Sequence, residues 1–235
     1  MRTALASTLA ILLVRVDAYA QAAEVPLAVP VDQAATTRHA VSLQLTGSNF
    51  DSGASLGYRT RFRGGAQLGI EARALAAREA YVDGFAATGG YSVAGLAIGM
   101  LPMVQAGPLD LHLRASVGGR SLKVDETTGP RERSFTLVSE VGPVVNVRVS
   151  QDLTLRTGWL AITNFQLSPR FDSEALGQVL LAGAVMPLTP DLQLHADVET
   201  GGLFGFDGDG GKYVLRGSVG ARWVLGGSAR SWLSF

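Results

Sequence analysis

Apolar and polar residues alternate along most of this chain with a period of two, the spacing of a strand with one face toward oil and one toward water. Leu109, Leu111, Leu113, Ala115 and Val117 share one face; Asp110, His112, Arg114, Ser116 and Gly118 share the other. Leu192, Leu194, Ala196 and Val198 likewise oppose Gln193, His195, Asp197 and Glu199. A helix would scatter each set around its circumference. The alternation predicts ten strands, near residues 39–47, 54–63, 66–75, 91–101, 109–120, 135–149, 153–161, 175–186, 192–201 and 212–224.

A weak repeat orders these strands. Asp110-Leu-His-Leu, Asp152-Leu-Thr-Leu-Arg and Asp191-Leu-Gln-Leu-His each follow a short turn, and Gly65-Ala-Gln-Leu-Gly-Ile is a degenerate further copy. An interval of about 40 residues holds two strands, one short turn and one longer loop. The longer connections, 75–90, 121–134, 162–174 and 202–211, are rich in turn residues. Short turns therefore share one rim and long loops the other. With an even number of strands both ends fall on the short-turn rim, and the meander can close. The expected fold is all-β, a closed antiparallel up-and-down barrel of about ten strands (eight to twelve) over residues 39–235. No linker or composition shift divides it.

Two uncharged stretches, Gly84–Leu109 and Ala175–Pro190, compete as membrane helices. The first holds Gly89, Gly90, Gly95, Gly99, Pro102 and Pro108; the second holds Gly177, Gly183 and Pro187. Glycine costs about 1 kcal/mol and proline about 3 inside a helix, and no helical pattern flanks either stretch. Both read as strands. The N-terminus differs: Arg2, an uncharged run from Thr3 to Val14 and the triplet Ala18-Tyr19-Ala20 have the order of a cleaved secretory signal peptide. Residues 1–20 are the expected leader and 21–38 an expected N-terminal periplasmic segment.

Composition narrows the functional classes. The formal net charge is zero and charged residues make up 17%, so the chain lacks the basic field of a nucleic-acid binder. Cysteine is absent, which excludes thiol catalysis, disulfide scaffolds, iron–sulfur clusters and cysteine-based zinc sites. A period-two barrel is then either a soluble barrel, with the Leu/Val face inside, or a membrane barrel, with that face toward lipid. Aromatic residues near strand ends favour the membrane: Tyr91, Phe135, Trp159 and Tyr213 on the loop side, Phe62 and Trp223 on the turn side. Gly57, Gly69, Gly118, Gly158 and Gly220 crowd the polar face, which suits a narrow lumen.

The pattern of a Pro or Ser turn, Asp-Leu-x-Leu and then a Gly-x-Trp or similar ending resembles the periplasmic hairpins of the small outer-membrane β-barrel domain family of Gram-negative bacteria. Ser218-Val-Gly-Ala-Arg-Trp223 resembles the last strand of those barrels, and the terminal Phe235 resembles their signal to the barrel-assembly machinery. Family members usually end at the last strand, whereas residues follow Trp223 here. The resemblance implies the outer membrane, with membrane lipid and the assembly machinery as partners. Loop length places the short turns in the periplasm and the long loops, with Ser48–Gly53, outside the cell.

Candidate chemistry is sparse. His112 and His195 fall on the polar face without a second ligand at a useful spacing, His195 shares its face with Asp197, and His39 stands apart. No serine is tied to a histidine by a motif, and no omptin-like cluster of acids and histidine assembles on the loop side. The run Phe206-Asp-Gly-Asp-Gly-Gly211 is calcium-like but lacks the downstream bidentate glutamate. No catalytic, cofactor or metal residue is assigned. By phase, Arg59, Arg61, Arg73, Arg114, Arg148, Arg156, Arg216 and Arg222 face inward with Glu71, Asp110, Glu140, Asp197 and Glu199. A barrel of this size barely holds its own side chains, so these charges are expected to pair into a ladder that fills the lumen. The leading expectation is a structural, adhesive or weakly pore-forming barrel. The alternatives are a secreted soluble barrel holding an apolar ligand and a rim enzyme acting on lipid or peptide.

Overall fold

The computed structural model describes residues 38–62, 64–77, 79–82, 85–127, 133–168, 172–204 and 212–225. The expected leader, the run 206–211 and Phe235 lie outside them. Eleven strands are described: β1 (Arg38–Ser48), β2 (Asp51–Arg61), β3 (Gln67–Ala77), β4 (Glu79–Val82), β5 (Phe85–Ala106), β6 (Leu109–Thr127), β7 (Arg133–Ser150), β8 (Leu153–Ser168), β9 (Asp172–Pro187), β10 (Leu192–Phe204) and β11 (Lys212–Leu225). All pairings are antiparallel and run between neighbours, except that β1 also pairs with β11 and β3 with β5. The β3 and β4 pairings to β5 keep one register, Ala76 opposite Tyr91 and Glu79 opposite Thr88, so β3 and β4 are one stave. Ten staves close the barrel.

The uncharged stretches are β5 and β9, and no helix among the described residues is long and apolar enough to cross a membrane. β5 lacks charge because both of its faces are apolar or small: Leu96, Ile98 and Met100 are buried inside while Tyr91, Val93, Leu101 and Met103 stand exposed outside.

Strand lengths depart from expectation mainly on the loop rim; on the turn rim β5 runs to Ala106, past its expected end near residue 101. The segments read as long loops, 75–90, 121–134 and 162–174, are largely strand, because the hairpins continue pairing beyond the barrel wall. A bilayer-crossing strand needs about 9–11 residues. β1, β2 and β3 have 11 residues each, whereas β5 has 22, β6 19 and β7 18. The loop rim is therefore low over β1–β2 and rises into hairpins over β5–β7. Cross-strand pairing offsets the turn-forming composition of these segments, which single-strand periodicity does not register. The opposite rim keeps tight turns, with Gly107 between β5 and β6 at φ 59°, a backbone state that suits glycine.

The outside is an apolar wall. Leu43, Leu45, Leu56, Leu68, Ile70, Val117, Val141, Leu155, Leu180, Val198, Leu215 and Val219 are exposed on it. Buried residues on the opposite phase include Gln67, Glu71, Asp110, Ser116, Glu140, Asn146, Gln193 and Arg222. A closed barrel that is apolar outside and polar inside satisfies its backbone without an edge and meets lipid with hydrocarbon. This is a transmembrane barrel of the outer-membrane type.

Candidate functional site in the barrel lumen

The register puts the charges of the expected network on the lumen phase, Arg148 at the exposed mouth excepted, and the pairs they form follow from position. Arg216 and Glu199 are direct cross-strand partners and meet at 3.0 Å. Arg114 on β6 reaches diagonally to Glu140 on β7 at 3.0 Å, and Ser116 donates to the same carboxylate at 3.4 Å. Arg216 also approaches Glu140, at 3.9 Å, so one carboxylate links two guanidiniums. Arg73 folds back on Glu71, two residues away on its own strand, at 2.7 Å.

Nearer the turn rim the pairing thins. Arg156, Gly183 and Asp197 form one row across β8, β9 and β10. Arg156 meets Asp197 at 3.5 Å by passing over Gly183, where a Cβ would strike the Asp197 carboxylate. Arg156 Nε donates to Asn146 at 3.4 Å. Arg59 lies along Gly69, where a Cβ would stand 2.7 Å from the Arg59 Cγ, and its guanidinium ends 4.0 Å from the Met100 sulfur. Arg222 is 6% exposed, donates a long 3.5 Å hydrogen bond to Gln193 and leaves its Nε without a hydrogen-bond partner. His195 packs against Gly220 beside it, 5% exposed, with Nδ1 also unbonded. His112 is fully buried on the same side.

One member of the network stands apart from this interior. Asp110 lies within electrostatic reach of Arg148 and Arg61. Arg61 is buried, but Arg148 is exposed at the turn-side mouth. A strand end at the rim faces water even when its phase is inward.

The lumen is also less polar than expected. Val144, Leu160, Ile162, Val179, Leu181 and Val214 form a buried cluster on β7, β8, β9 and β11, and Phe50 and Leu203 pack against it. These residues continue the phase of the lumen face, so alternation alone assigned them no role. The available signal was the run Val179-Leu180-Leu181-Ala182, apolar on both faces.

Outside, Phe62, Tyr91, Phe135, Trp159, Tyr213 and Trp223 are all exposed on the lipid side. Trp159 does not mark the loop rim: β8 runs on to Ser168, which puts Trp159 in mid-strand, donating to Gln178 at 3.1 Å. Tyr58 joins the turn-side aromatics, stacked on His39 and bonded to its Nδ1 at 2.7 Å. Among the described residues no group of His, Asp and Glu has the geometry to hold a metal ion.

No family model and no curated protein matches this chain. Solved structures similar to it include the NanC porin (10% identity over 79% of this chain and 100% of that one, TM-score 0.43). The translocator domain of the autotransporter NalP from Neisseria meningitidis is similar at 15% identity over 94% and 97%, TM-score 0.42. The outer-membrane protease OmpT from Escherichia coli is similar at 8% identity over 80% and 97%, TM-score 0.37.

Proposed function

We propose that this outer-membrane barrel is a structural component with a filled, non-conducting lumen and no enzymatic activity, displaying its raised hairpins at the cell surface. The observation that carries this is the loop-side half of the lumen, where the cluster around Leu160 and Leu181 packs beside the chain Arg114–Glu140–Arg216–Glu199. Apolar side chains beside closed ion pairs leave little room for hydrated ions. Membrane lipid is the partner of the apolar wall, and Phe235 is read as the signal to the assembly machinery; its deletion should lower barrel yield and raise proteolysis. Planar-bilayer recording tests the filled lumen. Silence is the expected result, and large, stable, anion-selective openings would overturn it.

A further inference from the structure

The charges on the turn-side half of the lumen do not balance. Arg59, Arg156 and Arg222 converge from β2, β8 and β11, close enough that Arg59 and Arg156 both repel Arg222. Asp197 is the carboxylate they share; it lies 3.5 Å from Arg156 and also attracts Arg59 and Arg222. Glu71, the next acid, is already held by Arg73 at 2.7 Å. Guanidinium does not give up its proton in a protein, and an uncompensated buried ion costs several kcal/mol. The group therefore carries two positive charges more than its carboxylate cancels. The Arg222 Nε–H donor and His195 Nδ1 are also buried without hydrogen-bond partners.

We infer that Arg59, Arg156 and Arg222, with His195 beside them, form a binding site for one small inorganic oxyanion of the sulfate or phosphate class. The charge matches, because a dianion neutralises the excess. The placement matches too: Arg59 on β2 and Arg156 on β8 stand on opposite walls of the ten-stave barrel, and cations on several sides call for an acceptor with lone pairs in every direction, which a tetrahedral oxyanion supplies. Arg59 spans its place only because Gly69 has no side chain, and a Cβ at Gly220 would likewise stand 2.7 Å from His195 Cε1 and Nε2. The glycines of the lumen face thus let the cationic groups gather where larger neighbours would hold them apart. The site requires only that the turn-side lumen admit a small ion, so it stands whether or not the barrel conducts.

The test uses the refolded full barrel in detergent, with its melting midpoint followed by heat-modified gel mobility. Sodium sulfate is compared with sodium gluconate at equal ionic strength. The site predicts a midpoint several degrees higher in sulfate. Arg222→Gln and Arg59→Gln should each abolish that difference, while Lys123→Gln on the outer face keeps it. Equal wild-type midpoints in the two salts, or an undiminished sulfate response in Arg222→Gln, overturn the inference. Wild-type crystals grown with selenate give a readout independent of any variant. Anomalous density within hydrogen-bonding distance of Arg222 Nε supports the site, and a lumen without it refutes it.

Discussion

The two halves of the lumen are built on the same alternation and differ in how their charges are compensated. Toward the loop rim and in the middle, three guanidiniums, Arg73, Arg114 and Arg216, meet three carboxylates, Glu71, Glu140 and Glu199, at 2.7 to 3.9 Å. A buried apolar cluster packs beside them. Toward the turn rim, Arg59, Arg156 and Arg222 share Asp197, and the contacts lengthen to 3.5 and 4.0 Å. The first half is self-sufficient. The second is short of negative charge and is stabilised by what enters from solution. Overall neutrality of the chain therefore conceals a local polarity inside the barrel.

That contrast can be broken directly. Glu140→Ala should have the largest effect, because it leaves Arg114 and Arg216 facing each other across a buried space; removing one partner of a buried pair costs about 3–5 kcal/mol. Denaturant unfolding of the detergent-folded barrel measures it, and a loss below about 1 kcal/mol would mean that the loop-side half is not held by its pairs. Leu181→Ala, in the cluster beside them, should cost about 2–5 kcal/mol through the cavity it opens. If the cluster also seals the lumen, this variant conducts in a planar bilayer where the wild type is silent. Leu180→Arg changes the adjacent residue on the outside. At mid-wall it should cost about 2–4 kcal/mol in lipid but far less in a soluble barrel, which separates the two faces of one strand. Arg222→Gln should have the smallest effect. In gluconate it relieves repulsion while weakening the contact to Gln193, and the two offset to within about 1 kcal/mol. A loss as large as that of Glu140→Ala would erase the distinction between the halves.

Much of this architecture was legible along the chain. Period two identified the strands and the face of each residue, since a side chain on a strand has only two directions to point. Regular short turns identified the meander, and the inward arginines and acids followed from phase. The strand ends on the loop rim were not legible. Segments such as 75–90 carry Gly and Asp and read as loops, yet their described residues remain paired, because a hairpin's two chains hold each other where neither would hold alone. Trp159 was displaced from rim to mid-strand by the same error.

The sequence by itself determined the faces, because a rule of two applies to each strand without reference to any other. Partnership is a property of neighbours. That Arg216 finds Glu199 and Glu140, that Arg156 reaches Asp197 over a glycine, and that Leu160, Leu181 and Val214 meet inside a polar lumen all depend on stagger between strands and on closure. Closure brings β11 beside β1 and, with them, Arg222 and Arg59 toward Arg156 from the other wall. Only the tertiary structure decided which lumen charges are satisfied, because Coulomb and hydrogen-bond energies fall off over distances that sequence separation does not measure.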